Sequence, residues 1–275
     1  MSAVAAVPQT AVHPLRRLAE YALRNLVVRR RLPPEFGRRL IFLSPANRLR
    51  ALQFNVERFE PELLGYVRRF VRSGMTVWDI GANMGSFAFP AAHAVGSTGA
   101  VLAIEPDPFN QMLLHRSLAA NPDLSVTIVP AAVSDRLALS ALEIAARGRA
   151  ANSLRGADHG SQMGGTRTTY PVVTVTLDWL AEQQPAPDLI KCDAEGAEVW
   201  ILTGGTELLR EKRPLLIMEV PRENSSVVTR LLHEQRYAIF AANRPISASA
   251  ALPAIGDSWE IVAVPEERVD HWNGA

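Results

Sequence analysis

The chain is nearly free of cysteine, because Cys192 is the single one among 275 residues. One thiol cannot form an internal disulfide, and it cannot by itself supply a structural zinc site. The sequence also lacks a run of about 18 apolar residues, so we predict no transmembrane helix. Its apolar first residues, 1–12, contain no positively charged segment of the kind that opens a signal peptide. These absences predict a cytoplasmic protein without disulfide bonds.

The composition is that of an ordinary globular protein, with 48% hydrophobic and 21% charged residues. Positive charge is concentrated at the start: residues 1–50 hold ten arginines against Glu20 and Glu35, although the net charge of the whole chain is only +1. The stretch from His13 to Arg31 is predicted to form an amphipathic helix. Such a helix either packs on the domain or lies on anionic lipid, so peripheral membrane contact through the basic N-terminus stays open.

Beyond residue 55, apolar strand-like segments alternate with helical ones, which indicates an α/β fold with a seven-stranded, mostly parallel sheet and helices on both faces. We divide the chain into a basic helical N-terminal extension, residues 1–55, and one domain, residues 56–275. The predicted strands are 76–80, 100–105, 125–130, 188–193, 214–220, 236–241 and 259–264. The predicted helices are 60–71, 85–95, 107–120, 198–210 and 223–235.

The third and fourth strands are too far apart for a simple crossover. Leu137–Ala145 and Tyr170–Leu177 both have the character of strands, and a segment rich in glycine and arginine separates them. We therefore predict a β-hairpin insertion spanning residues 137–177.

A glycine-rich turn follows the first strand of the domain, in the sequence Trp78-Asp79-Ile80-Gly81-Ala82-Asn83-Met84-Gly85. Glycine lets the backbone approach a ligand closely, and the next helix begins with free N–H groups and a partial positive charge. Glu105 ends the second strand, where a carboxylate can accept hydrogen bonds from both ribose hydroxyls. This spacing predicts a cofactor that contains a nucleoside.

The charge of the turn bears on which cofactor binds. Dinucleotide sites favour Gly-x-Gly-x-x-Gly around a pyrophosphate, whereas here Asp79 stands two residues before Gly81. A carboxylate repels a pyrophosphate and attracts the sulfonium and amino groups of S-adenosylmethionine, so we predict S-adenosylmethionine rather than NAD. The alternative is a glycine turn that merely joins a strand to a helix.

Three carboxylates, Asp193, Glu195 and Glu198, gather where the fourth strand ends. Ligands of parallel sheets bind at this end, and neighbouring carboxylates raise one another's pKa. One of them could then act as a general base near neutral pH. We expect Asp193 in the site and Glu198 at the start of the following helix.

The sequence resembles the FkbM family of S-adenosylmethionine-dependent methyltransferases over roughly residues 60–265. The motifs that carry the resemblance are, in order, Asp79-Ile80-Gly81-Ala82-Asn83-x-Gly85, Glu105-Pro106, Ala132-Val133-Ser134-Asp135, Thr176-Leu177-Asp178, Lys191-x-Asp193-x-Glu195-Gly196-Ala197-Glu198 and Pro214-Leu215-Leu216-Ile217-Met218-Glu219. The resemblance implies a Rossmann-like class I methyltransferase fold. It also implies O-methylation, often of sugars or natural products.

The resemblance also implies roles for individual residues. Residues of the glycine turn would surround the methionine part of the cofactor, Glu105 the ribose, Ser134 and Asp135 the adenine, and Asp193 the sulfonium. The implied cofactor-binding set is Asp79, Gly81, Ala82, Asn83, Gly85, Glu105, Pro106, Ser134, Asp135 and Asp193. For the general base we expect Asp193 and then Glu195, with His159 as a weaker candidate.

The acceptor is expected to be a small molecule or glycan that offers a hydroxyl group. Arginines in the insertion, such as Arg155 and Arg167, suggest an anionic acceptor. We predict no metal site, although Asp193, Glu219 and Asn224 could be imagined around magnesium. A non-catalytic role on RNA or membrane is a second hypothesis, but aromatic residues for base stacking are sparse among the arginines, so no nucleic-acid partner is expected. Oligomeric state is left open by the sequence.

Overall fold

The computed structural model describes residues 22–53, 60–157, 164–256 and 260–272. Its strands are β1 (Val28–Arg31), β2 (Leu40–Leu43), β3 (Thr76–Ile80), β4 (Ala100–Ile104), β5 (Val126–Val129), β6 (Ala132–Val133), β7 (Ala138–Ala145), β8 (Ser153–Leu154), β9 (Thr166–Val175), β10 (Leu189–Cys192), β11 (Leu215–Glu219), β12 (Tyr237–Ala241) and β13 (Glu260–Pro265). Its α-helices are α1 (Pro61–Phe70), α2 (Ala88–Val95), α3 (Pro108–Ala119), α4 (Leu177–Gln183), α5 (Glu198–Thr203), α6 (Thr206–Glu211) and α7 (Ser225–Glu234).

A seven-stranded mixed sheet forms the centre, in the order β12-β13-β11-β10-β3-β4-β5. The strands from β5 to β11 run parallel, and β13 is antiparallel to both of its neighbours. The order reverses at β3, which lies between β4 and β10, so the crevice at the carboxyl ends of these strands is the expected ligand site. All seven predicted strands are confirmed to within one residue of their limits.

Helices cover both faces of this sheet, because its strands are apolar on both sides. Val77 and Trp78 are neighbours in β3 that point to opposite faces, and both are fully buried, in two different hydrophobic clusters. Burying a side chain of this size stabilises the fold by about 1.5–3 kcal/mol. Such continuous apolar runs explain why the strands were predictable from sequence.

The insertion forms a second sheet, in the order β6-β9-β7-β8. Its long strands β7 and β9 pair antiparallel, as a hairpin requires, and β9 begins four residues earlier than expected. Leu177 starts the helix α4 instead of ending a strand, because the Thr176 side chain accepts a hydrogen bond from the Trp179 N–H and caps that helix. Residues 158–163, including the candidate His159, lie outside the described residues.

Another difference concerns the helix predicted at residues 198–210, which the structure divides into α5 and α6. The break falls at Gly204-Gly205. An ideal Cβ on Gly204 would lie 2.3 Å from the Ser134 carbonyl oxygen, so the backbone passes here at a distance that only glycine permits.

The N-terminal region differs from its prediction. Residues 28–31, expected to end a helix, form β1, which pairs antiparallel with β2. The strand is favoured because Arg30 reaches the carbonyl oxygens of Leu52 and Gln53, at 2.8 and 2.6 Å, while β2 packs on α3. Residues 13–21 of the predicted helix lie outside the described residues. This strand pair brings the segment that follows β2 to the crevice of the main sheet.

No helix in the described ranges is long and apolar enough to cross a membrane.

Candidate active site

The glycine turn after β3 brings the ends of two strands into direct contact. Gly81, Asn83 and Gly85 all have positive φ angles, of 70°, 51° and 85°. An ideal Cβ on Gly81 would lie 1.9 Å from the carbonyl oxygen of Asp193 at the end of β10. Any side chain at this position would force the two strand ends apart, so Gly81 is required by close approach of the backbone.

Glu105 ties the end of β4 to the glycine turn. Its Oε2 accepts a hydrogen bond from the Asn83 N–H at 2.7 Å, and its Oε1 accepts one from the Asp107 N–H at 2.8 Å. The residue is 5% exposed, and burial raises the pKa of its carboxyl to about 7. Each carboxylate oxygen can accept more than one hydrogen bond, so Glu105 retains capacity for a ligand hydroxyl.

A first cavity of about 590 Å³ lies beside Glu105, between the glycine turn, the end of β10 and the insertion. Six of the predicted site residues line it: Gly81, Asn83, Glu105, Pro106, Asp193 and Glu195. The remainder of the wall includes the apolar segment Ala131–Val133 together with Leu142 and Leu154. The cavity therefore joins an apolar side to a side that carries carboxylates.

The insertion closes one wall of this cavity through a buried ion pair. Nη1 of Arg149 donates to both Asp107 oxygens, at 2.7 and 2.5 Å, and Nδ2 of Asn152 donates to Oδ2 at 2.8 Å. Asp107 also caps α3 by accepting from the Phe109 N–H, and the Arg149 guanidinium lies 4.6 Å from the Phe109 ring centroid. Sequence reasoning missed Arg149 and Asn152, because neither belongs to a motif and both reach the site through tertiary packing.

Asp79 acts inside the protein and not on the cavity wall. It is fully buried, and Nζ of Lys191 lies 3.2 Å from its Oδ1, although neither carboxylate oxygen has a hydrogen-bond partner of normal geometry. Burial raises the pKa of Asp79, and the charge of Lys191 opposes that shift. Lys191 also donates to the Gly81 carbonyl at 3.0 Å and lies 3.7 Å from Oδ2 of Asp193. The lysine thus fixes the turn and the end of β10 relative to each other.

The charges of Asp79 and Asp193 also keep Lys191 protonated. Burial alone would lower the pKa of Lys191, but the two carboxylates raise it above its ordinary value.

A second cavity of about 610 Å³ lies on the other side of the glycine turn. Gly81, Asn83 and Asp193 line both cavities, so the two spaces share a wall. Asn47, from the segment after β2, also lines the second cavity and donates through Nδ2 to Oδ1 of Asn83 at 2.5 Å and of Asn110 at 2.8 Å. No sequence signal marks Asn47, because only the packing of β1 and β2 brings it here.

The carboxylates after β10 have different environments. Glu195 has a positive φ angle of 48°, and burial, then the charges of Asp193 and Glu219, raise its pKa to about 8. Glu198 is buried away from the cavities and accepts from the Gly196 N–H at 3.2 Å, in agreement with its expected place at the start of α5. Glu195 is therefore the carboxylate of this group that lines the first cavity and titrates near neutral pH.

Several predicted site residues do not line the first cavity. Ala82 lines the second cavity, on the far side of the glycine turn, whereas Asp79 and Gly85 line neither of these two cavities. Ser134 and Asp135 line a third cavity of about 430 Å³ together with Arg155 and Trp200. The reason is that β6 joins β9 in the second sheet, where the Ser134 N–H bonds to the Val175 carbonyl.

Among the described residues, no group of three or more histidine, cysteine or acidic side chains is arranged to hold a metal ion. The Asn224 side-chain amide donates to the Gly196 carbonyl at 3.1 Å and to Glu198 at 3.3 Å.

Comparison with known proteins gives one family match. The model of the methyltransferase FkbM domain matches residues 79–239, which is more than half of the chain. None of the curated proteins compared with the chain matches it.

Solved structures with a similar fold include a methyltransferase FkbM from Methylobacillus flagellatus KT, with 17% sequence identity and a TM-score of 0.48 over 73% of this chain. The chain covers 50% of that protein. A precorrin-6y C5,15-methyltransferase from Geobacter metallireducens GS-15 has 14% identity and a TM-score of 0.43, over 75% of this chain and 85% of that one. An S-adenosylmethionine-dependent O-methyltransferase from Thermotoga maritima has 14% identity and a TM-score of 0.42, over 74% and 64%.

Proposed function

Because the chain belongs to the FkbM family of methyltransferases, we propose that it transfers a methyl group from S-adenosylmethionine to a hydroxyl oxygen of a sugar, glycan or natural product. The observation that carries this proposal is the first cavity, which combines the glycine turn, Glu105 and the carboxylates after β10 in one wall.

The residues of the first cavity fit this cofactor. Glu105 retains acceptor capacity for ribose hydroxyls, and Ala131–Val133 offers an apolar surface for adenine. Gly81 has no room for a Cβ because the Asp193 carbonyl oxygen occupies that space, so the glycine keeps the ends of β3 and β10 together at the cavity. The carboxylates Asp193 and Glu195 suit a sulfonium and disfavour a pyrophosphate, which argues against NAD.

When bound, S-adenosylmethionine supplies an electrophilic methyl group. The protein then has to hold the acceptor hydroxyl in line and remove its proton. Alignment of this kind can lower the barrier by about 7–11 kcal/mol. We assign the acceptance of this proton to Glu195, since it lines the first cavity and its pKa of about 8 suits a general base that works near neutral pH. Asp193, which lines both cavities, would orient the two reactants.

The proposal is tested by calorimetric titration with S-adenosylmethionine and S-adenosylhomocysteine. We expect micromolar binding by the wild type and at least a tenfold loss in Glu105→Gln, which retains the shape of the side chain but weakens its acceptance from ribose hydroxyls. Glu207→Gln, on the exposed side of α6, is the matched control and should bind like the wild type. Absence of binding by the wild-type protein would refute the cofactor assignment.

A further inference from the structure

The turn that follows β2 is fixed both by its own hydrogen bonds and by the insertion. Oγ of Ser44 accepts from the Ala46 N–H at 3.1 Å, and the Asn47 N–H donates to the Ser44 carbonyl at 3.2 Å. From the insertion, the Arg149 N–H donates to the Ala46 carbonyl at 2.9 Å. This turn places the Asn47 side chain between the glycine turn and α3, although Asn47 lies outside residues 79–239, which match the family model.

The side chains of three asparagines form a chain of hydrogen bonds whose direction is set at Glu105. Nδ2 of Asn110 donates to Oε1 of Glu105 at 3.4 Å, so the Asn110 oxygen faces the other way. Nδ2 of Asn47 donates to that oxygen at 2.8 Å and to Oδ1 of Asn83 at 2.5 Å. The opposite orientation of the Asn47 amide would place its oxygen against these two oxygens. The Glu105 carboxylate therefore fixes the orientation of all three amides.

The neighbours of Asn47 impose this orientation although it leaves one end of the Asn47 amide unsatisfied. Asn47 is 2% exposed, and within the described ranges its Oδ1 atom has no hydrogen-bond partner. A buried amide that served packing alone would be expected to satisfy both of its ends. Asn47 instead uses its Nδ2 group twice, on Asn83 and Asn110, which both line the first cavity. Its arrangement thus serves the orientation of those two side chains.

The bond to Asn47 decides which end of the Asn83 amide a ligand meets. Because Oδ1 of Asn83 is bonded to Asn47, the Asn83 Nδ2 group is directed away from that residue. No described residue accepts a hydrogen bond from this Nδ2 group, and Asn83 lines both cavities that meet at the glycine turn. We propose that Asn47 is a positioning residue, which turns the donor end of Asn83 toward the carboxylate of the methionine part of the cofactor.

This contact rests on the proposed function, because it requires S-adenosylmethionine in the first cavity. The methionine part of that cofactor carries an ammonium, a sulfonium and a carboxylate, and of these the carboxylate is the hydrogen-bond acceptor. Asp193 lines the same cavity and suits the two cationic groups, but it repels a carboxylate. A neutral donor such as the Asn83 Nδ2 group supplies the interaction that Asp193 cannot.

The test is calorimetric titration of the full-length protein with S-adenosylhomocysteine and with decarboxylated S-adenosylhomocysteine, the same molecule without its carboxylate. The ratio of the two affinities reports the carboxylate contact. In Asn47→Ala the preference for S-adenosylhomocysteine should fall by about three- to tenfold, because an unrestrained Asn83 amide also presents its oxygen. In Asn47→Asp the preference should fall further, since an aspartate at this position accepts from the Asn83 Nδ2 group and turns the Asn83 oxygen toward the ligand.

Asn121→Ala is the matched control. Asn121 is buried like Asn47 and also joins β2 to α3, since its Nδ2 donates to the carbonyls of Leu40 and Ser117 at 2.8 and 2.7 Å. It lines neither of the two cavities. Asn121→Ala should therefore leave the preference between the two ligands unchanged, even where it lowers the affinity for both.

A further pair of variants shows whether Asn47 acts through Asn83. Asn83→Gly removes the donor and is compatible with the positive φ angle of 51° at this position. It should lower the preference for S-adenosylhomocysteine by at least about tenfold. Adding Asn47→Ala to Asn83→Gly should lower the preference no further, because the side chain that Asn47 orients is already absent.

Three results would overturn the proposal: a wild-type protein that binds both ligands equally well, a wild-type preference retained in Asn47→Ala or Asn83→Gly, or losses that add in the double variant. If Asn47→Ala does not fold, the isosteric Asn47→Asp decides in its place, and a retained preference there has the same meaning. Failure of the proposed methyltransferase function is a separate result, seen as absence of S-adenosylhomocysteine binding by the wild-type protein.

Discussion

The ion pair between Arg149 and Asp107 is predicted to hold the insertion against the cofactor site. Asp107 is 1% exposed at its side chain and Arg149 is 13% exposed, so this pair is shielded from solvent. Arg149→Ala would leave Asp107 charged and buried, with only the Phe109 N–H and Asn152 as donors. Removing one partner of a buried ion pair lowers the free energy of unfolding by about 3–5 kcal/mol. We expect about 3 kcal/mol here, because Asp107 keeps two hydrogen bonds.

Two measurements follow from this reasoning. Urea denaturation of Arg149→Ala should show a free energy of unfolding that is about 3 kcal/mol lower than that of the wild type. Calorimetry should show at least tenfold weaker binding of S-adenosylhomocysteine, since Arg149 lines the first cavity. Arg155→Ala is the control from the same insertion. The ion pair between Arg155 and Glu143 is exposed on the arginine side. Removing it in Arg155→Ala should therefore lower the free energy of unfolding by no more than about 1 kcal/mol.

A double variant separates the ion pair from simple loss of packing. Arg149→Met with Asp107→Asn removes both charges while keeping an N-cap residue on α3. It should be more stable than Arg149→Ala, because no charge is left buried alone. The reasoning is refuted if Arg149→Ala is as stable as the wild type, or if the double variant is no more stable than Arg149→Ala.

Two further predictions concern the buried carboxylates. Glu195→Gln should lower kcat by about 10²–10⁴-fold without weakening the binding of S-adenosylhomocysteine, which carries no sulfonium, and the wild-type rate should rise with pH through about 8, since the deprotonated form accepts the proton; a flat pH profile would remove Glu195 from this role. The stability of the ligand-free protein should fall as pH is raised from about 5 to 8, in urea titrations at several pH values. Glu105, Glu195 and Glu198 have pKa values of about 7, 8 and 7 in the fold, above their unfolded value of 4.5, so the folded state binds more protons in this window. Stability that rises over this range would contradict the assignment.

The central sheet could be predicted because its signal is local. Strand β4 is a continuous apolar run, and β3 is one apart from Thr76 and Asp79. The glycine turn and Glu105 follow directly after the ends of these two strands. The N-terminal strand β1 had no such signal, since Val28 is followed by three arginines that satisfied a helical pattern equally well. Its strand pairing depends on β2, which lies nine or more residues further along the chain.

The missed site residues share a different cause. Asn47 and Arg149 reach the cavities through contacts with residues 36 to 63 positions away along the chain, and a single sequence carries no trace of such contacts. Ser134 and Asp135 show the converse case, because their motif is present while the pairing of β6 with β9 places them at another cavity. Their role toward the cofactor stays a prediction.

The first cavity contains two carboxyl groups that are costly to ionise, and this cost has a consequence for ligand preference. Glu105 and Glu195 hold raised pKa values because burial and their neighbours disfavour ionisation, which means that ionising them costs stability in the absence of ligand. A cation placed between them lowers that cost. S-Adenosylmethionine carries a sulfonium and S-adenosylhomocysteine does not, although their shapes are otherwise nearly the same. The protein should therefore prefer the substrate cofactor over the product, and the preference should grow as pH rises and Glu195 ionises, which favours release of the product once the charge has been consumed.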